Sequence, residues 1–88
     1  MHQITYRKFT SRKTRAGIQA DCDKEAKTYG DYHCRLEPIK FYEYPVCKNE
    51  TEARAKIDEY DNGWYNQIAV KYKDGRKVMW LVKIEYHV

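Results

Sequence analysis

Residues 49–88 read NETEARAKIDEYDNGWYNQIAVKYKDGRKVMWLVKIEYHV, and this stretch predicts one helix followed by a β-hairpin. Asn49 is suited to cap the helix, because its side-chain oxygen can accept a backbone N–H that the first turn leaves unpaired. The apolar stripe of the helix recurs at helical spacing and consists of Ala53, Ile57 and Tyr60. Asn62 and Gly63 can supply a left-handed exit, so we expect the helix to end near Tyr60.

The hairpin follows from strict alternation of apolar residues, which is typical of strands. The alternating rows are Ile68, Val70 and Tyr72 in the first strand, and Val78, Trp80, Val82, Ile84 and Tyr86 in the second. A two-residue loop at residues 74–75 would place these rows on opposite faces of the sheet. A three-residue loop at residues 73–75 sets Val70 opposite Val78 and gives both rows one face. We predict the three-residue loop, with Gly75 left-handed in a bulge.

The N-terminal half predicts a strand over residues 3–9 and a second strand over residues 39–44. Between them, Ser11 is expected to cap a helix that runs to about Tyr29. The order is β-α-β-α-β-β, which predicts an α+β fold: a small two-layer domain with a mixed four-stranded sheet and both helices packed on one face. Residues 1–88 are expected to form a single domain.

The chain contains no long apolar run and no apolar segment at its N-terminus that is typical of a secretion signal. These features predict a cytoplasmic protein with no membrane contact, in which thiols stay reduced. No phosphate-binding glycine loop, dinucleotide-binding glycine pattern or nucleophile-elbow motif occurs. We therefore expect a protein that is not an enzyme.

Basic residues form two clusters in a chain of net charge +4. The first consists of Arg7, Lys8, Arg12, Lys13 and Arg15, and residues 1–20 contain no acid. The second surrounds the hairpin tip and includes Lys73, Arg76 and Lys77. Such clusters favour a polyanion or an acidic protein surface as partner, and the alternative is a solvated face that maintains solubility. Arg12, Lys13 and Arg15 are the first candidates, because unbalanced cations at a helix start oppose the helix dipole.

Tyrosine is abundant, with nine residues in the chain. Tyr42 and Tyr44 alternate with charged residues and are expected to be exposed. Tyrosine is enriched at the hot spots of protein interfaces, so we predict that both contact a partner. The alternative is the ordinary preference of small sheets for aromatic residues.

Three cysteines occur in the chain, and His33 adjoins one of them. Thiolates and imidazole are the ligands of tetrahedral zinc, so a possible zinc site consists of Cys22, His33, Cys34 and Cys47. The spacing contains no C-x-x-C pair. The alternative is that the cysteines are ordinary buried or idle thiols.

In general character the chain is similar to small phage and mobile-element proteins, including anti-CRISPR inhibitors, which are compact, single-domain and without catalytic motifs. This resemblance implies a small inhibitor that binds a protein partner stoichiometrically, for example a nuclease of a bacterial defence system or its nucleic-acid complex. The alternative is a nucleic-acid-binding accessory domain, whose basic clusters contact phosphates while exposed tyrosines stack on bases. A structural module that needs an oligomeric partner is a third possibility.

Overall fold

The computed structural model describes residues 2–29, 37–43, 46–60 and 67–87. They form four strands and two helices in the predicted order, which confirms the α+β fold with its mixed four-stranded sheet. The strands are β1 (His2–Thr10), β2 (Lys40–Glu43), β3 (Gln67–Asp74) and β4 (Lys77–His87), and the helices are α1 (Arg15–Tyr29) and α2 (Glu50–Tyr60). In the described segments no helix is both long and apolar enough to cross a membrane.

The sheet has the strand order β1-β4-β3-β2. β4 is antiparallel to both of its neighbours, whereas β2 and β3 pair in parallel, so β4 alone runs against the other three strands. The connection from β1 to β2 crosses the whole sheet, and the connection from β2 to β3 returns in the opposite direction. Two crossovers of the usual right hand that run in opposite directions place their helices on opposite faces.

The core consists of two clusters, one on each face of the sheet. On the α1 face, buried residues of the helix and the sheet pack together: Phe9, Ile18, Cys22, Ile39, Ala69, Trp80, Val82 and Ile84. On the α2 face the cluster is Cys47, Ala53, Ile57, Ile68, Val70, Tyr72 and Leu81. The prediction of a two-layer domain with both helices on one face was therefore wrong, because the sheet lies between the helices and is buried on both sides.

The hairpin register explains this difference. Residue Asp74 is paired with Lys77 and Val70 with Leu81, so the loop contains only Gly75 and Arg76. Gly75 has φ 64°, and no other described residue has a positive φ, which fits a two-residue turn with glycine in its first central position. The predicted three-residue loop was wrong. The shorter loop turns the alternating row of β3 toward α2 and that of β4 toward α1.

The helix ends follow local capping chemistry. The Asn49 side chain accepts the backbone N–H of Glu52 at 2.9 Å, and α2 ends at Tyr60, so both predictions for this helix are confirmed. Helix α1 ends at Tyr29 as predicted but begins at Arg15. Its cap is Thr14, whose hydroxyl accepts the backbone N–H of Gly17 at 3.0 Å. The predicted cap at Ser11 was wrong, because the helix begins four residues later. Ser11 instead continues the pairing with β4, where its backbone N–H donates to the Val78 carbonyl.

Candidate binding surface

The pairing of β1 with β4 brings the two basic clusters of the sequence together. Thr10 lies opposite Met79, and beyond it the backbone N–H of Ser11 donates to the Val78 carbonyl at 3.1 Å. The turn after β1 therefore lies beside the hairpin tip, although more than sixty positions separate Arg12 from Arg76 in the chain.

An open groove of about 450 Å³ lies between this turn and the hairpin tip. We call it the basic groove; its lining consists of the cations Arg12, Arg76 and Lys77, the hydroxyl residues Thr10 and Ser11, and the apolar residues Val78 and Met79. No carboxylate occurs among these lining residues. All three cations are exposed, and none has an ion-pair partner within the described segments. Their positive charge is therefore available to an external anion.

A second groove of about 300 Å³ adjoins the first, because Ser11 and Val78 line both. We call it the side groove; its other lining residues are Glu43, Lys71, Tyr72 and Lys73. Glu43 is the single carboxylate among the described residues that line either groove. Its Oε1 lies 3.3 Å from Arg15 and 3.6 Å from Lys71. Among the described residues that line the two grooves, one anionic side chain therefore stands beside several cations.

Several of the predicted binding cations are already paired inside the protein. Arg7 donates to Glu25 at 2.6 Å, and Lys13 lies 2.5 Å from Asp21. The hydrogen bond from Lys13 is the main reason that the pKa of Asp21 is lowered. Because Arg15 is paired with Glu43, the expectation of unbalanced charge at the start of α1 was wrong for Lys13 and Arg15. Arg12 lies before the first residue of the helix and has no ion-pair partner among the described residues.

The remaining predicted contact residues are divided between the two faces. Lys73 lines the side groove, whereas Lys8 is opposite Leu81 and so lies on the α2 face of β1. The Tyr42 ring stacks on Tyr60 with centroids 4.3 Å apart and planes 2° from parallel. Tyr42 is half-buried in this stack, which leaves one side of its ring unavailable to a base or a partner. Tyr44 lies outside the described residues.

The zinc site does not form as predicted. Cys22 belongs to the cluster under α1 and Cys47 to the cluster under α2, so the sheet separates the two thiols and they cannot bind one ion. His33 and Cys34 lie in the part of the chain that is not described. In the described part, no group of three or more potential metal ligands comes together. Burial raises the pKa of the Cys22 thiol to about 12 and also raises that of Cys47, so both thiols resist ionisation.

Sequence reasoning missed two features of this surface: the convergence of Arg12 with the hairpin tip, and the position of Glu43 among the cations. Both depend on which strands are neighbours, and strand alternation alone does not specify this. The apolar run VMWLV at residues 78–82 was an available signal, because near-continuous apolar strands are typical of sheets buried on both faces. Comparisons of the chain with protein-family models, curated proteins and solved structures give no match.

Proposed function

We propose that this protein is a small non-catalytic binding protein that uses the basic groove to bind an acidic surface on a protein partner. The observation that carries the proposal is the convergence of Arg12, Arg76 and Lys77 around one groove with no carboxylate in its described lining. Three like charges in one place repel one another in the free protein, and a complementary anionic surface relieves that repulsion.

A protein partner is favoured by the apolar part of the groove. Val78 and Met79 are partly exposed between the cations. Arginine and methionine are both enriched at protein interfaces, and the mixture offers apolar contact together with charge pairing. The stacking of Tyr42 on Tyr60 further reduces the aromatic surface available to nucleobases.

Nucleic acid is the second candidate, and the three exposed cations of the basic groove favour it as well. Exposed arginine and lysine side chains bind phosphate groups without reading sequence, and such binding weakens steeply with salt. In this alternative the protein contacts the backbone of a nucleic acid rather than its bases.

Stoichiometric inhibition of a bacterial defence nuclease in the cytoplasm is the biological role that we propose for such a protein. The support is its general character: a small domain whose sequence contains no familiar catalytic motif, and in which the exposed cations Arg12, Arg76 and Lys77 line one groove. The role predicts that the purified protein blocks DNA cleavage by its target nuclease at an equimolar ratio. Inhibition that requires catalytic turnover, or that occurs far below equimolar amounts, contradicts it.

The binding proposal is tested with two paired-charge reversals that change net charge equally. Arg76→Glu with Lys77→Glu alters the basic groove, whereas Lys8→Glu with Lys48→Glu alters exposed lysines elsewhere. The probes are a poly-glutamate peptide and a DNA duplex of similar charge, titrated at several salt concentrations. Because one exposed ion pair contributes ~0.2–1 kcal/mol, the groove variant should bind poly-glutamate about tenfold more weakly than the parent.

The control variant should lose much less affinity. Equal losses in both variants would show that only net charge matters and would reject the groove. Binding that strongly prefers the duplex and falls steeply with salt would replace the protein partner by nucleic acid. If the parent protein binds neither probe, both candidates are wrong.

A further inference from the structure

Glu43 occupies a position in which a partner's acidic side chain would also fit. It is the last residue of β2, its side chain is 55% exposed, and its carboxylate bridges Arg15 of α1 and Lys71 of β3. These contacts link a helix to two strands, and Glu43 and Lys71 also line the side groove. Glu43 is therefore the internal anion of a site that two cations form.

The two cations are held by aromatic rings as well as by Glu43. The Arg15 guanidinium lies 5.3 Å from the centre of the Phe41 ring and 5.6 Å from that of Trp80. The Lys71 ammonium lies 5.7 Å from the centre of the Trp80 ring. Trp80 is only 3% exposed and packs edge-on against Phe41, so this aromatic base is fixed by the core. Cation–π attraction keeps both charges near their positions when Glu43 moves away.

The two ion pairs that Glu43 forms with these cations are weak enough for another carboxylate to displace Glu43. The closest approaches are 3.3 Å and 3.6 Å, and both Glu43 and Arg15 are more than half exposed. Exposed ion pairs contribute little to stability because water competes for both charges. An incoming carboxylate can therefore replace Glu43 without disturbing the fold.

We propose that Arg15 and Lys71 form a carboxylate-binding subsite, that Glu43 occupies it in the free protein, and that an aspartate or glutamate side chain of the partner displaces Glu43 on binding. This inference rests on the proposed function. It extends that function because the subsite lies along the side groove, which adjoins the basic groove through Ser11 and Val78. An acidic segment of the partner then spans both grooves, and Glu43 sets the affinity by competing with it.

The test removes the competitor and measures a gain. Glu43→Gln retains the size of the side chain and removes its charge, so affinity for a poly-glutamate peptide should rise about two- to fivefold. Asp58→Asn is the matched control, because it removes one exposed carboxylate from α2. A gain in the control as large as that of Glu43→Gln would assign the effect to net charge and overturn the subsite.

A double-mutant cycle locates the effect. The gain from Glu43→Gln should vanish in an Arg15→Met background, since the vacated cation is then missing, and Lys71→Met should reduce it. Persistence of the full gain in both backgrounds overturns the proposal. Circular dichroism melting confirms that each variant is folded. As an independent readout, the indole N–H resonance of Trp80 should shift when the peptide is added to the parent protein, and an unmoved resonance at saturation contradicts the subsite.

The outcomes also separate this inference from the proposed function. If reversal of Arg76 and Lys77 abolishes peptide binding while Glu43→Gln behaves like Asp58→Asn, the basic groove stands and the subsite is rejected. If the parent protein does not bind the peptide at all, both proposals are rejected.

Discussion

Replacing two adjacent residues of β4 tests whether both faces of the sheet are buried. Leu81 packs in the cluster beneath α2 and Val82 in the cluster beneath α1, and each is fully buried. Leu81→Ala removes three carbon atoms, which corresponds to a transfer term of roughly 2.4 kcal/mol at ~0.8 kcal/mol per methylene, and the cavity adds to it. We expect a loss of about 3–4 kcal/mol in the free energy of unfolding for Leu81→Ala and about 2–3 kcal/mol for Val82→Ala.

Urea unfolding followed by circular dichroism measures both losses, and Lys73→Ala is the control. Lys73 is exposed on the same hairpin, so its replacement should change stability by less than about 0.5 kcal/mol. Neighbours on a strand point to opposite faces, and a sheet buried on only one face can make just one of the two core substitutions costly. If Leu81→Ala behaves like Lys73→Ala while Val82→Ala remains costly, then the burial of Leu81 beneath α2 and the pairing of Leu81 with Val70 are wrong.

Three further predictions concern the cap, the turn and a thiol. Asn49→Ala should lower the free energy of unfolding by about 1 kcal/mol because the N–H of Glu52 loses its acceptor, whereas Asn49→Asp should restore most of it in chemical denaturation. Gly75→Val should cost about 1–2 kcal/mol, because φ of 64° strains a branched residue even though a β-carbon at this position would have no atom of a non-neighbouring residue within 4 Å. Gly75→Asn should cost less, and equal melting temperatures of the two variants would contradict this turn. Burial raises the pKa of Cys22 to about 12 in the folded protein from its ordinary value of 9.0, so the contribution of the neutral thiol to stability is complete below pH 9. This contribution to the free energy of unfolding should fall by no more than ~1.4 kcal/mol per pH unit as the pH rises from 9.0 to about 12. Cys22→Ala should flatten this part of the pH profile, and an unchanged slope would show that other groups are responsible.

Local chemistry made part of the fold and of the site predictable. Helix α2 depends on the cap at Asn49 and on the helical spacing of Ala53 and Ile57, and both lie within one short segment. The basic character of Arg12, Arg76 and Lys77 was also evident from the sequence. Arg15 was chosen as a candidate contact residue because its charge was expected to be unbalanced, and that reason was wrong, since Arg15 is paired with Glu43.

The sequence by itself determined the element types, their order, the cap of α2 and the total supply of charge, because these properties arise from residues that are neighbours in the chain. Only the tertiary structure decided which face each apolar row covers, since a loop of two residues rather than three inverts one row relative to the other. The pairing of β1 with β4 likewise created the basic groove, because it joins the turn that carries Arg12 to the hairpin tip. Strand pairing brings together residues that are distant in the chain, and its free energy depends on burial over the whole sheet rather than on any local pattern.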